Sequence, residues 1–339
     1  MRAVLSLPTP LLRLLSGGGV VYRAGRTLEP RIQAIAHAVA RAPQPPGLSL
    51  DQARTGLAQL HALLGGAAAS GVKTEALSID GPRGPIGLRA YRGAGQDPAS
   101  PLLVFAHGGG GCMGDLALAD PLCGLLAREA RCAVLSVDYR LAPEHRFPAG
   151  LEDVAAAFAW ARANAGRFGA PAGRVAIGGE SIGAGLAAAV AQGLRAAGEP
   201  QPALQLLICP ALDLAAEGGS LDAFADAFPL SRASLAWCVG HYLAPDADPA
   251  DPRVSPSRCA DLTGLAPALV ITAGFDPLAD QGEAYARRLK AAGVETTLRM
   301  HETLPHGFSL FAGAVPAAEA ACHDIAARLR AAFEDGAGG

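Results

Sequence analysis

The stretch Arg174-Val175-Ala176-Ile177-Gly178-Gly179-Glu180-Ser181-Ile182-Gly183 joins an apolar run to an alanine-rich one, residues 184–197. Its order is strand, sharp turn, helix. That is the context of a nucleophile elbow, because small glycines let the turn tighten until the serine hydroxyl stands exposed above a sheet at a helix N-terminus. Ser181 is therefore the candidate nucleophile.

The pentapeptide needs support. In a chain with 42 glycines, a G-x-S-x-G arises by chance with probability roughly 0.2. His107-Gly108-Gly109-Gly110 is the rarer motif, at a chance on the order of 0.01 to 0.02, and it follows directly on the apolar run 102–106. Three glycines in a loop over a sheet edge let backbone N–H groups face inward. An oxyanion hole needs such donors, together with the N–H of the residue after the nucleophile. Gly109, Gly110 and Ile182 are the candidates. A phosphate loop would need a G-K-[ST] after the glycines, and neither cluster has one. His107 reads as a residue that orders this loop by hydrogen bonding, not as a base.

A serine at such an elbow takes its partners from later in the chain, acid first and histidine second. Of eight histidines, His241, His301, His306 and His323 follow Ser181, and His306, in Pro305-His306-Gly307-Phe308, sits in a turn just beyond a strand. His306 is the candidate base. Asp276 ends the apolar run 269–275 and is the candidate acid. Asp280 falls inside the following helix start, where a first-turn carboxylate has a structural reason to be. Asp261 and the other aspartates read as solvated or capping groups.

Around these motifs the pattern alternates. An extended hairpin over residues 74–91 turns at Gly81-Pro82-Arg83-Gly84, and after it short buried-strand runs alternate with helical runs to a last helix beyond Pro316. Such alternation predicts a mostly parallel central sheet flanked by helices on both faces. Residues 1–70 carry two helix-like stretches, 30–42 and 50–64, separated by Pro43-Gln44-Pro45-Pro46-Gly47, with Ser49 as N-cap of the second. A helical piece over 221–243 lies within an apparent insertion, residues 213–256, between two core strands. The N-terminal segment and this insertion are expected to form a helical cap over a core spanning 71–339.

Composition excludes several classes. Of the 339 residues half are hydrophobic, and the net charge is −3, which provides no basic surface for nucleic acid. The seven cysteines show neither C-x-x-C spacing nor paired histidines, arguing against a disulfide framework and a metal site. Pro8, Pro10 and Arg13 interrupt any signal-peptide core, and the longest charge-poor runs are diluted by polar residues and glycine. The expectation is a cytoplasmic protein without stable membrane insertion, with a homodimer left open.

His107-Gly108-Gly109-Gly110, the run Asp138-Tyr139-Arg140-Leu141-Ala142-Pro143-Glu144-His145-Arg146-Phe147-Pro148-Ala149, Gly179 to Gly183, Asp276-Pro277-Leu278 and His306-Gly307-Phe308 resemble the bacterial hormone-sensitive-lipase-like branch of α/β-hydrolases. The resemblance covers roughly residues 74–330. It implies the α/β-hydrolase fold with a helical cap and a cofactor-free serine carboxylesterase acting on a small-molecule ester. The triad and oxyanion candidates fall on the family's motif positions. The chain departs from the pattern at Ile182, where the family usually has a small residue, and at Gly111-Cys112-Met113, where larger residues are usual. Residues 139–144 read as structural. The same triad would also serve an amide, a lactone or an acetylated natural product, and a receptor on this fold would bind without turnover.

Overall fold

The computed structural model describes residues 2–41 and 47–335. Two short helices, α1 (Arg2–Leu5) and α2 (Thr9–Leu15), and a ribbon of β1 (Tyr22–Arg23) with β2 (Arg26–Thr27) lead into α3 (Pro30–Arg41) and α4 (Leu50–Leu64). Ala42 and residues 43–46 of the expected proline-rich break lie outside the described residues. Helix α4 starts where its cap dictates. The Ser49 hydroxyl accepts from Gln52 N at 3.2 Å while the Gln52 side chain accepts from Ser49 N at 2.9 Å, so two otherwise orphaned donors are satisfied.

The hairpin β3 (Val72–Gly81) and β4 (Gly84–Gly93) follows. Then come β5 (Leu102–Ala106), α5 (Leu116–Glu129), β6 (Val134–Asp138), α6 (Ala149–Asn164), β7 (Val175–Glu180), α7 (Ile182–Ala196) and β8 (Gln205–Ile208). After the insertion, with α8 (Ser220–Ala223) and α9 (Arg232–Tyr242), the chain ends in β9 (Ala268–Phe275), α10 (Ala279–Ala291), β10 (Thr296–Pro305) and α11 (Pro316–Asp335).

Eight strands form one sheet in the order β10-β9-β8-β7-β5-β6-β4-β3. The pairs from β6 to β10 are parallel, and only β4 runs against the other strands, antiparallel to both β3 and β6, which is the mostly parallel sheet expected. Strands such as β5 and β9 are buried along their whole length because helices cover both faces. Phe158 of α6, Ala187 of α7 and Tyr285 of α10 fill one face. Leu126 of α5 and Ile325 and Phe333 of α11 fill the other, joined there by Ile32 and Ile35 of α3. Among the described residues no helix is long and apolar enough to cross a membrane.

One expectation is corrected. The helical piece over 221–243 is two helices, α8 and α9, with residues 224–231 between them, and Pro229 and the Ser231 capping box keep α9 from starting earlier. Proline has no N–H to donate and its ring excludes helical geometry from the residue before it. The insertion itself does lie between two core strands, β8 and β9.

Candidate active site

The parallel strands deliver their C-terminal ends to one edge, and every candidate residue stands there. Ser181 links β7 to α7 with φ 57° and ψ −121°, a backbone that residues other than glycine rarely hold. Its neighbours make the turn feasible. A Cβ on Gly183 would lie 2.1 Å from the Ala106 carbonyl oxygen, and one on Gly179 would lie 2.4 Å from the Gly183 carbonyl carbon. The Ser181 N–H donates to Ile208 O at 2.8 Å and its carbonyl accepts from Ala211 N at 3.1 Å, so β8 and the loop after it hold the strained residue.

His306 follows β10 and Asp276 follows β9. The Ser181 Oγ lies 2.9 Å from His306 Nε2, and His306 Nδ1 lies 2.8 Å from Asp276 Oδ2. The other Asp276 oxygen accepts from Leu278 N at 2.8 Å. Asp276 and His306 are both buried. Burial works against the imidazolium, but the charge and hydrogen bond of Asp276, with Glu180 behind, outweigh it and raise the His306 pKa above its ordinary value.

The glycine loop faces this pair. Gly109 and Gly110 have φ of 117° and 64°, and the loop closes on itself by Met113 N donating to Gly109 O at 2.9 Å. No loop hydrogen bond among the described residues takes the N–H of Gly109 or Gly110. Ile182 opens α7, and a first helical N–H has no acceptor within its helix. His107 is buried, its Nδ1–H donating to Gly108 O at 2.7 Å. Its ring stacks on Tyr139 at 4.4 Å, and the Tyr139 hydroxyl donates to the His107 carbonyl at 2.9 Å. Burial lowers the His107 pKa, so it stays neutral and orders the loop as expected.

A family model for the α/β-hydrolase fold matches residues 103–310, from β5 to just beyond His306. The chain belongs to the α/β-hydrolase family. Its motifs, in their order, place it in the hormone-sensitive-lipase-like branch. It is 45% identical to the carboxylic ester hydrolase LipN of Mycobacterium tuberculosis over 89% of this chain and 82% of that one. With an ethyl acetate hydrolase of Pseudomonas putida it shares 37% identity, over 77% of this chain and 83% of the relative. Among solved structures it is similar to an ester hydrolase from the metagenome of Lake Arreo complexed with a derivative of bipyridine phosphonate. That likeness has a TM-score of 0.84 and 39% identity, and covers 91% of this chain and 99% of that one.

Three features of this α/β-hydrolase went unread in its sequence. Glu180, between the elbow glycine and the serine, is buried, and Ser309 Oγ lies 2.8 Å from each of its carboxyl oxygens; burial raises its pKa. Arg54 of α4 pairs with both Glu144 oxygens at 2.7 Å and donates to the carbonyls of Cys112 at 2.9 Å and Ala142 at 3.1 Å. It thereby ties the N-terminal segment to the glycine loop. Asp280, in the first turn of α10, accepts from Ser220 N at 2.8 Å and so clasps the insertion to the Asp276 loop. The signal for Glu180 was its place at the elbow. The other two contacts link residues far apart in the chain.

A pocket opens over Ser181 in this hydrolase, with Gly109, Gly110, Ile182 and His306 also in its lining. Its walls are apolar: Leu57 of α4, Leu230, Leu235 and Val239 from the insertion, and Leu310 after His306. No Lys or Arg is among its described lining residues. Cys209, Asp276 and His306 offer atoms within 4.8 Å of one another. Burial pushes the Cys209 thiol well above its ordinary pKa, and His306 Nδ1 is hydrogen-bonded to Asp276.

Proposed function

We infer that the protein is a serine carboxylesterase that hydrolyses short-chain, uncharged acyl esters through an acyl-enzyme on Ser181. The observation that carries this reading is the relay from Ser181 Oγ through His306 to Asp276, at 2.9 and 2.8 Å. With the His306 Nδ1–H donating to Asp276, Nε2 is free to accept the serine proton as Oγ attacks the ester carbonyl. The N–H groups of Gly109, Gly110 and Ile182 stabilise the oxyanion, His306 returns the proton to the departing alcohol, and water repeats the route to release the acid. Residues 1–70 and 213–256 act as a cap over the core. Their leucines shape the acyl and alcohol sites, and the named activities of the relatives agree in class.

The test is Ser181→Ala with a short p-nitrophenyl ester. Turnover should fall by at least about 10⁴-fold while the far-ultraviolet spectrum stays that of the parent, since the hydroxyl stands in the pocket instead of filling the core. Activity within tenfold of the parent sinks the assignment.

A further inference from the structure

All seven cysteines are free thiols, and two of them, Cys112 and Cys238, meet around the glycine loop. They come from different layers. Cys112 follows the His107–Gly110 run in the core, whereas Cys238 lies on α9 of the insertion and lines the pocket. A Cβ placed on Gly110 would lie 2.6 Å from the Cys238 sulphur and 3.9 Å from the Cys112 sulphur, so both sulphurs crowd one glycine. The same apolar cluster holds both side chains. The Cys112 Sγ lies 3.9 Å from the Gly109 carbonyl oxygen. The neighbouring Cys238 thiol draws the Cys112 pKa below its ordinary value, with desolvation opposing and the Arg54 guanidinium assisting, while Cys112 and burial push that of Cys238 up. By contrast, burial pushes the thiols of Cys123, Cys132, Cys209 and Cys322 upward. A thiol of lowered pKa beside one of raised pKa is the arrangement of an attacking and a resolving cysteine.

We propose that Cys112 and Cys238 form a reversible disulfide that draws α9 onto the glycine loop and switches the pocket off. The oxidant is hydrogen peroxide, which enters by the pocket that Cys238 lines and passes that side chain to reach the buried Cys112 behind it. The Cys112 thiolate attacks one peroxide oxygen and the O–O bond breaks. Sulphur keeps that oxygen as a sulfenic acid, and the departing hydroxide takes the proton Cys112 released and leaves as water. The Cys238 sulphur then attacks the Cys112 sulphur, and its own proton joins the expelled hydroxyl as a second water. Two thiols are oxidised and one peroxide is reduced. A disulfide needs Cβ atoms only about 3.5–4.5 Å apart, and closing to that distance moves the loop at Gly110, the glycine that both sulphurs crowd. The effect on rate rests on the oxyanion role proposed for Gly110; the cross-link does not.

Peroxide titration of the full chain, followed by peptide mass mapping without reductant and by p-nitrophenyl ester hydrolysis, tests both parts. The expected result is a linked peptide pair carrying Cys112 and Cys238. Its yield should parallel a rate loss on the order of 10²-fold, the cost of losing one oxyanion donor, and dithiothreitol should restore the rate. Cys112→Ser and Cys238→Ser, or the alanine variants where serine unfolds the chain, should each keep their own untreated rate under the same peroxide. Because linkage is read by mass, a parent that hydrolyses no ester fails the esterase reading without touching the cross-link. No 112–238 link, a link between other cysteines, or equal inactivation of the variants overturns the proposal, as does a complete 112–238 link that leaves the rate unchanged.

Discussion

At Ser181 the chain spends backbone energy, on the order of 1–3 kcal/mol for such a conformation, and hydrogen bonds from β8 and the following loop hold it. His306 shows how its surroundings set the chemistry. Asp276 and Glu180 raise its pKa although burial lowers it, and only neutral His306 can accept the serine proton. Activity should therefore fall as pH drops through a value above the reference of about 6.5. A kcat/KM profile whose acid limb lies below that reference contradicts the assignment. The two aspartates separate by their bonds. Asp276 reaches the imidazole, whereas Asp280 reaches Ser220 N, and Ser220 in turn donates to Pro277 O at 2.7 Å. Asp276→Asn should cost on the order of 10⁴ in turnover with little change in Tm. Asp280→Asn should lose about 1–2 kcal/mol of stability by weakening the clasp, with turnover within a few-fold. Turnover and thermal melts on both variants decide, and the reverse ranking exchanges their roles.

Helices α4 and α9 complete the site from distant parts of the sequence, α4 lining it with Leu57 and tied to it by Arg54. Arg54 fastens α4 to Glu144 and to the carbonyls of Ala142 and Cys112, the last only two residues after Gly110. Arg54→Ala should lower kcat/KM by about tenfold, since misplacing a catalytic loop by a fraction of an ångström has that scale of cost. Arg54→Lys should rescue it poorly, because an ammonium cannot reproduce the guanidinium fork. A lowered Tm with unchanged kcat/KM would make Arg54 a structural tie alone. These contacts mark the boundary of what could be read in advance. The elbow, the glycine loop and the order of Asp276 and His306 were legible because their chemistry is local: glycines where a Cβ has no room, strand ends where a carboxylate or imidazole must emerge. The eight strands of the central sheet and most helices from α3 onward were legible from period and caps, Ser49 among them, whereas α1, α2 and the β1–β2 ribbon were not. Arg54 to Glu144, Asp280 to Ser220 and Cys112 to Cys238 were not, since each joins separate elements and leaves no periodic trace. Pro229 was visible, yet the apolar run around it read as continuous helix; α9 starts only after it, at the Ser231 cap.

Across the whole molecule, the insertion and the N-terminal segment turn an open sheet edge into a pocket with leucine walls, and that geometry predicts substrate choice. Glu180 and His306 are the acidic and basic side chains among the described lining residues, and no described Lys or Arg lines the cavity to hold a substrate carboxylate. A neutral butyrate ester should be cleaved at least about tenfold faster than the corresponding hemisuccinate, whose extra charge would be buried without a partner. Chain length follows from the same walls. Ile182, buried beside Leu221 and Tyr242, places a branched side chain directly after the nucleophile and lines the pocket. Overpacking an apolar site costs roughly 1–3 kcal/mol, so acyl chains of about two to eight carbons should react fastest and emulsified long-chain triacylglycerols slowly. Ile182→Ala should move the optimum to longer chains while sparing turnover on acetate to within a few-fold, because the donor at that position is the backbone N–H. The measurement is kcat/KM across a p-nitrophenyl series from acetate to palmitate for parent and variant. An unchanged profile in Ile182→Ala removes that side chain from the acyl site, and a parent fastest on palmitate overturns the capped pocket itself.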